Sequence, residues 1–382
     1  MTTMKRTTAL LTAPVLAAVL AGAASSASSA ATLRGAFGDT ATHAAARPAM
    51  TLLHGLPTVL RPDVAYALDH RQFGAAQGRR LGGASPDGFP WPNFVYTCQP
   101  VLNDCTLWSP TFGVPPFTQG APIAGLGTTK PVGMIVNTAG NMWIADEPTS
   151  RILHFKSANI GAPVAGLPPV LNDPGELPVD VDASLNGNLV AVANVSTTAG
   201  GNGSVSVYRN SSPNPNSILI VPTGHAIQGI GIMIDKPGNC FFSYQDLTLN
   251  AGNIVEFKAC KGKSIPVPLL PPIGYAGGMA MDGGVHNLYY VDQAAKSIFK
   301  CTGESGPCFA TAPWGTGFAD PVYINFDPGW SHLWVSDAAM FAGNGALCYT
   351  TVGAAVAPTC FATLLNNGDP PVGVAPAPGS LY

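Results

Sequence analysis

Charge is what this sequence has least of. Asp, Glu, Lys and Arg make up 10% of its 382 residues, against roughly 25% in ordinary soluble domains. The 18 Lys and Arg are scattered and face 21 Asp and Glu. A nucleic-acid binder needs clustered cations to displace the counterions of a phosphate backbone, so nucleic acid is excluded as a partner. Apolar patterns of helical period are equally scarce, which leaves an all-β chain. The apolar run from Ala9 to about Gly22 is too short for a comfortable membrane span. No Cys-x-x-Cys pair offers zinc-site spacing. Gly-x-Ser-x-Gly, a P-loop and His-Glu-x-x-His are all missing, and with them the most recognisable hydrolase, nucleotide and zinc-peptidase chemistries.

What is present begins with Lys5 and Arg6, that apolar run, and a small-residue stretch ending at Ala30-Ala31. This is the layout of a secretory signal peptide over residues 1–31. Ala24 and Ser25 stand where a lipoprotein would need Cys, so the mature chain reads as secreted or periplasmic, and monomeric. Residues 32–90 carry no repeat and read as an irregular leader. From residue 91 to residue 382 short β-runs alternate with turns. Gly (44) and Pro (36) make up about a fifth of the chain, which suits tight turns better than disorder.

The turns repeat. The clearest unit runs from Pro131 to Asp146, with apolar runs Met134–Val136 and Met142–Ala145 around Asn137-Thr-Ala-Gly140. Asn hydrogen-bonds its own backbone two residues on, and Gly accepts the positive φ that finishes the turn, so the unit is a predicted β-hairpin. Degraded copies place the turn residues Asn137, Asp182, Asp235, Asp282, Asp327 and Pro376 at separations of 45, 53, 47, 45 and 49 residues. That period is the signature of propeller blades, four-stranded sheets that cannot bury both faces alone. In the blade starting at Pro131, strands are predicted at 133–136, 142–145, 151–156 and 163–167. Phe94–Cys98, Cys105–Ser109 and Pro122–Leu126 read as strands two to four of a blade with no first strand. The segment beginning at Pro371 supplies a first strand with nothing after it. Pairing the two chain ends completes a sixth blade and removes exposed edges.

The pattern Pro-x-Gly, apolar strand, Asp or Asn, Gly turn, then aromatic-apolar-Ala/Ser-Asp resembles the NHL repeat and the six-bladed propellers of the gluconolactonase and senescence-marker type. In those lactonases a calcium ion sits in the central tunnel, held largely by side chains just before the inner-strand Gly. The resemblance therefore points to Val132, Val179, Gly277, Val322 and Val372, with Gln228 the one polar candidate near Gly231. No Asp, Glu or Asn stands at an aligned position, so neither calcium nor another cofactor is expected.

The blade layout also pairs the cysteines, which an exported chain uses as disulfides. Cys98 and Cys105 flank one hairpin. Cys240 opens a second strand whose antiparallel neighbour Cys260 closes. Cys301 with Cys308, and Cys348 with Cys360, each link a third strand to an outer one. The repeated turn Asp and Asn residues, and Asp146, Asp292 and Asp337, read as backbone caps. Trp143, Tyr289 and Trp334 share one register and read as inter-blade packing. His286 and His332 read as turn residues.

The remaining polar candidates are His225, before an inner strand, Gln228, and Asp180 with Asp182, alternating along another inner strand. A His with carboxylates suits metal ligation or acid–base work. Blade three carries long polar stretches at 195–203 and 210–216, and blade four one at 247–252. Insertions of this kind mark binding faces. The reading is a non-catalytic binding or scaffold module, taking a protein, small-molecule or carbohydrate ligand on that loop face. The alternative is a divergent gluconolactonase- or streptogramin-lyase-like enzyme working through His225, Gln228 and Asp180.

Overall fold

The computed structural model describes residues 92–377, apart from 93, 101, 112–113, 124–126, 128–129, 138, 157–167, 185–186, 283–286, 303–307, 310–312, 328–329, 344, 353–356 and 363–369. The signal peptide, the leader, the strand at 163–167 and His286 lie outside the described residues.

The described chain is an all-β propeller of six blades. Blade one holds β1 (Phe94–Gln99), β2 (Asp104–Thr111) and β3 (Val114–Pro122). Blade two is β4 (Pro131–Val136), β5 (Asn141–Asp146), β6 (Arg151–Lys156) and β7 (Val170–Asn172). Blade three is β8 (Glu176–Ala183), β9 (Leu189–Thr197), β10 (Ser204–Arg209) and β11 (Ser217–Leu219). Blade four is β12 (Ile227–Ile234), β13 (Cys240–Asp246), β14 (Ala251–Phe257) and β15 (Ile265–Pro266). After β16 (Leu269–Leu270), blade five is β17 (Ala276–Met281), β18 (Leu288–Asp292) and β19 (Ser297–Cys301), followed by β20 (Cys308–Phe309). Blade six is β21 (Pro321–Phe326), β22 (His332–Asp337), β23 (Ala346–Thr351) and β24 (Thr359–Ala362). The last strand, β25 (Gly373–Ala377), pairs antiparallel with β1 and becomes the inner strand of blade one.

Three outer strands differ from expectation. In blade two the outer strand is β7, Val170–Asn172, which pairs with β6. In blade one the outer strand is β3, whose pairing with β2 runs from Val114 to Pro122. In blade five β20 pairs in parallel with β16, the chain leaving blade four, and not with β19. Disulfides join Cys98–Cys105, Cys240–Cys260, Cys301–Cys308 and Cys348–Cys360. The third therefore ties blade five to a strand seated on its neighbour.

The repeated carboxylates and amides hold turns. Backbone N–H groups of Asn141, Asn239, Asn287 and Ser331 donate to Oδ1 of Asn137, Asp235, Asp282 and Asp327, at 2.6–2.9 Å. His332 Nδ1 closes the last of these turns at 2.6 Å from Asp327 Oδ2. In blades two, five and six the Asp that ends the second strand receives the chain entering its own blade: Lys130 N–H donates to Asp146, Gly274 N–H to Asp292, and Ala319 and Asp320 N–H to Asp337. Trp143, Tyr289 and Trp334 are fully buried. Tyr289 meets Phe326 of the next blade edge-on at 5.1 Å, and Trp334 meets Phe117 at 4.9 Å.

Candidate functional site

The lining of the propeller axis follows from one local irregularity. In blades two to six the inner strand slips register against its neighbour around the Pro-x-Gly position. A bulge of this kind turns alternate side chains through part of a rotation and bends the strand. Residue x then points into the blade interior: Val132, Val179, Ile230, Val322 and Val372 all belong to one buried apolar cluster. Ile230, inside the β12 bulge, holds the position for which Gln228 was the candidate. The register shift between Gly229 and Gly231 is what moves the aligned position from Gln228 to Ile230.

The following position faces the axis. It is held by Gly133, Asp180, Gly231, Gly278, Tyr323 and Gly373, one per blade. The glycines are there because neighbouring inner strands nearly touch. A Cβ on Gly133 would lie 2.3 Å from Asp180 Oδ1, one on Gly278 2.7 Å from Tyr323 Cδ1, and one on Gly373 2.2 Å from Val132 O. The two side chains that the ring admits fill its centre. Tyr323 reaches across the axis and its hydroxyl donates to the shared acceptors Val179 O (3.1 Å) and Ile230 O (2.8 Å) on the neighbouring blades three and four. Burial raises the Tyr323 hydroxyl well above the usual phenol range, and the Asp180 carboxylate beside it pushes the same way. Sequence reasoning passed over Tyr323, although its break from glycine in the aligned copies was the available signal.

Asp180 and Asp182 do not project as free carboxylates. Ile232 N–H donates to Asp180 Oδ2 at 2.9 Å and Ile234 N–H to Asp182 Oδ2 at 2.6 Å. The two side chains thus replace the backbone pairing that β8 and β12 lack. Burial raises Asp180 well above its ordinary range and pushes Asp182 up to about 6. Beyond the Tyr323 plug, toward the strand-one turns, lies a cavity of about 40 Å³ lined by Met134, Asn137, Asp182, Met233, Met279 and Asn325 among others. A water needs on the order of 10–15 Å³ of such space, so this volume suits a few waters and no organic substrate.

His225 and Gln228 lie toward the other end of the axis. At roughly 3.3 Å per residue, His225 is about 20 Å along the strand from Ile232, where Asp180 is anchored. The fold therefore does not bring His225 and Asp180 together. His225 Nδ1 instead lies 2.7 Å from Asp246 Oδ2, with the imidazole 36% exposed. Asp246 Oδ1 also accepts from Thr248 and Leu249 N–H at 2.9 and 2.8 Å. Burial pushes the Asp246 carboxyl up, but these hydrogen bonds, with the one from His225, hold it below its ordinary range. Gln228 pairs with Gln245 across β12 and β13.

Around this pair lies the loop-rich face. Asn202, in the blade-three loop, donates Nδ2–H to His225 O (3.1 Å) and accepts from Ile227 N–H (3.2 Å). The loop is thereby fastened to the start of β12. Leu247 and Leu249, next to Asp246, are 42% and 64% exposed. The stretch 210–216 joins β10 to β11, a connection at the opposite end of the blade from 195–203, where Asn216 Oδ1 accepts from Arg209 N–H. It does not contribute to this face, because successive strand connections alternate between ends. Asn194-Val-Ser, Asn202-Gly-Ser and Asn210-Ser-Ser match the acceptor pattern for N-glycosylation; Asn194 is fully buried, whereas Asn202 and Asn210 are exposed. Among the described residues no three of His, Cys, Asp and Glu converge as a metal cluster, and no helix is long and apolar enough to cross a membrane.

No family model and no curated protein matches this sequence. Solved structures do match its shape. A chain of a nidogen/laminin complex superposes with a TM-score of 0.55 at 11% identity, over 74% of this chain and 97% of that one. A chain of Kuenenia stuttgartiensis hydrazine synthase gives 0.50 at 15%, over 74% and 83%. A streptogramin B lyase gives 0.41 at 16%, over 63% and 70%. At these identities the likeness is one of fold.

Proposed function

We propose that the chain is an NHL-like propeller serving as a non-catalytic binding or scaffold module outside the cytoplasm, whose contact surface is the face carrying loops 195–203 and 247–250. The observation that carries this is the exposed pair Leu247 and Leu249. Apolar side chains held out to solvent by a firmly anchored loop mark interaction surfaces. The anchoring comes from Asp246, which accepts both loop amides, and from the Asn202 tie to β12. Two leucines suit a protein partner better than a sugar. The plugged axis supports the same reading, since the place where propeller enzymes of the resembling families work holds a tyrosine. Four disulfides fit an oxidising compartment.

A photo-crosslinker at position 249, with a control at 214, tests this in the medium or periplasm of the producing cells. Partner capture at 249 that is absent at 214 and lost with Leu247→Asp is the expected result. A second reading follows from the His225–Asp246 pair, which has the carboxylate–imidazole geometry of an acid–base relay. It predicts turnover on lactone or ester panels that His225→Ala abolishes and Leu247→Asp leaves intact, and that outcome would overturn the first reading.

A further inference from the structure

We propose that blade three holds an off-axis site for a hard divalent cation of the calcium class, formed by Asp173, Glu176, Asn194, Ser204 and Ser206. Ser206 Oγ donates to Asp173 Oδ1 at 2.7 Å, and Ser204 Oγ donates to Glu176 Oε2 at 2.9 Å. Each serine has one proton and spends it on a carboxylate. Asn194 spends both amide protons in turn, on Ser204 Oγ and Ser206 Oγ at 3.0 Å each. The Tyr208 hydroxyl donates to Asn172 O at 2.9 Å, and since it also lies within hydrogen-bonding reach of Asp173, its single proton can serve only one of the two.

The chain from Glu176 through Ser204, Asn194 and Ser206 to Asp173 thus uses every serine and amide proton it has, and Tyr208 is the one further donor within reach of Asp173. Asp173 and Asn194 are fully buried. Asp173 Oδ2 and Asn194 Oδ1 have no hydrogen-bond partner. Neither carboxylate is paired with Lys, Arg or His among the described residues. Two carboxylates withdrawn from water without a counter-charge are strongly disfavoured.

A cation supplies both missing elements, positive charge and a partner for the orphaned oxygens. The donor set contains oxygen alone: two carboxylates, an amide carbonyl and two hydroxyls. That chemistry selects calcium over metals that prefer imidazole or thiolate. The backbone gathers these groups. Asp173 and Glu176 share one turn, closed by Glu176 N–H to Asp173 O at 3.1 Å, and Ser204 sits opposite Asn194 in the β9–β10 pairing. Asn194 and Ser204 are also the terminal pair of the β9–β10 ladder, at the base of the connection 195–203. A bound ion would therefore clamp the base of that loop, whether or not the loop face binds a partner.

The test uses the full mature chain, stripped with chelator and titrated with calcium chloride near neutral pH. Calorimetry should show saturable binding with a Kd on the order of 10⁻⁴–10⁻³ M, the range of extracellular calcium modules, and thermal unfolding should shift upward. Asp173→Asn should abolish binding. If that variant fails to fold, Glu176→Gln, closer to the surface, must still weaken binding by about tenfold or more. The Tyr208 ring should also sensitise luminescence of terbium bound in calcium's place. Three results would each overturn the site: no binding up to about 10 mM calcium, ten times the weak end of that range; binding unchanged in Glu176→Gln; or Asp173 carrying a proton at neutral pH in saturating calcium, which would show a neutral acid doing the ion's work.

Discussion

Truncating Tyr323 is the sharpest test of the axial plug. The side chain is 4% exposed and its hydroxyl spans Val179 O and Ile230 O. That hydroxyl has one proton, so the two contacts amount to a single shared hydrogen bond. Tyr323→Phe should therefore destabilise by about 1–2 kcal/mol, chiefly by leaving two buried carbonyls without a donor. Tyr323→Ala removes the ring as well, and burying an aromatic in a core is worth about 3–5 kcal/mol. Two effects compete within that range. The surrounding ring cannot collapse into the void, because Gly133, Gly231, Gly278 and Gly373 have no side chains to move inward. Against that, the void adjoins the polar cavity beside Asp180 and will admit water, which recovers part of the loss. We expect the first effect to dominate, giving about 4 kcal/mol. Urea unfolding of the disulfide-intact protein, read by tryptophan fluorescence, measures both variants. A loss below about 1 kcal/mol for Tyr323→Ala would refute the plug, since no fully packed aromatic is removed so cheaply.

Three further outcomes follow. Burial raises Asp182 to about 6 from an unfolded value near 4, so between those pH values the folded chain keeps a proton that the unfolded chain has lost. Its contribution to stability is therefore greatest at low pH and falls as pH rises from about 4 to about 6; Asp182→Asn, which still accepts from Ile234 N–H, should remove on the order of 1–2 kcal/mol of that fall. Urea midpoints across this range check it, and an unchanged slope would count against the burial argument. Gly373→Ala drives a methyl to 2.2 Å from Val132 O, a backbone atom, and should lower stability by about 1–3 kcal/mol, visible as a lower melting temperature. Reducing Cys240–Cys260, which spans 20 residues, should destabilise by about 3 kcal/mol on loop-entropy grounds, seen by comparing the parent with a Cys240→Ala/Cys260→Ala variant in urea.

Much of the architecture is legible in the amino-acid sequence, because a repeat states the same physical requirement several times. Turn caps such as Asp235 and Asp327, second-strand anchors such as Asp337, and the packing aromatics Trp143 and Trp334 recur at fixed offsets, so their roles follow from local hydrogen bonding and strand alternation alone. Cysteine positions fall at strand ends, and antiparallel order then leaves few ways to join them. The partner of β25 is readable for the same reason: one blade lacks an inner strand and one strand lacks a blade.

What the linear chain does not encode is which repeat lies across the axis from which. Tyr323 meets Val179 and Ile230 over separations of 144 and 93 residues, contacts that exist only once the ring has closed. Asp180 and Asp182 looked like free ligands because the shortage of backbone donors between β8 and β12 is a property of neighbouring blades, not of either strand. The separation of His225 from Asp180 was likewise invisible, since the direction and bulge of each inner strand decide which end of the axis a residue reaches. The sequence determined the blades and their turns through local chemistry; tertiary closure decided what fills the middle.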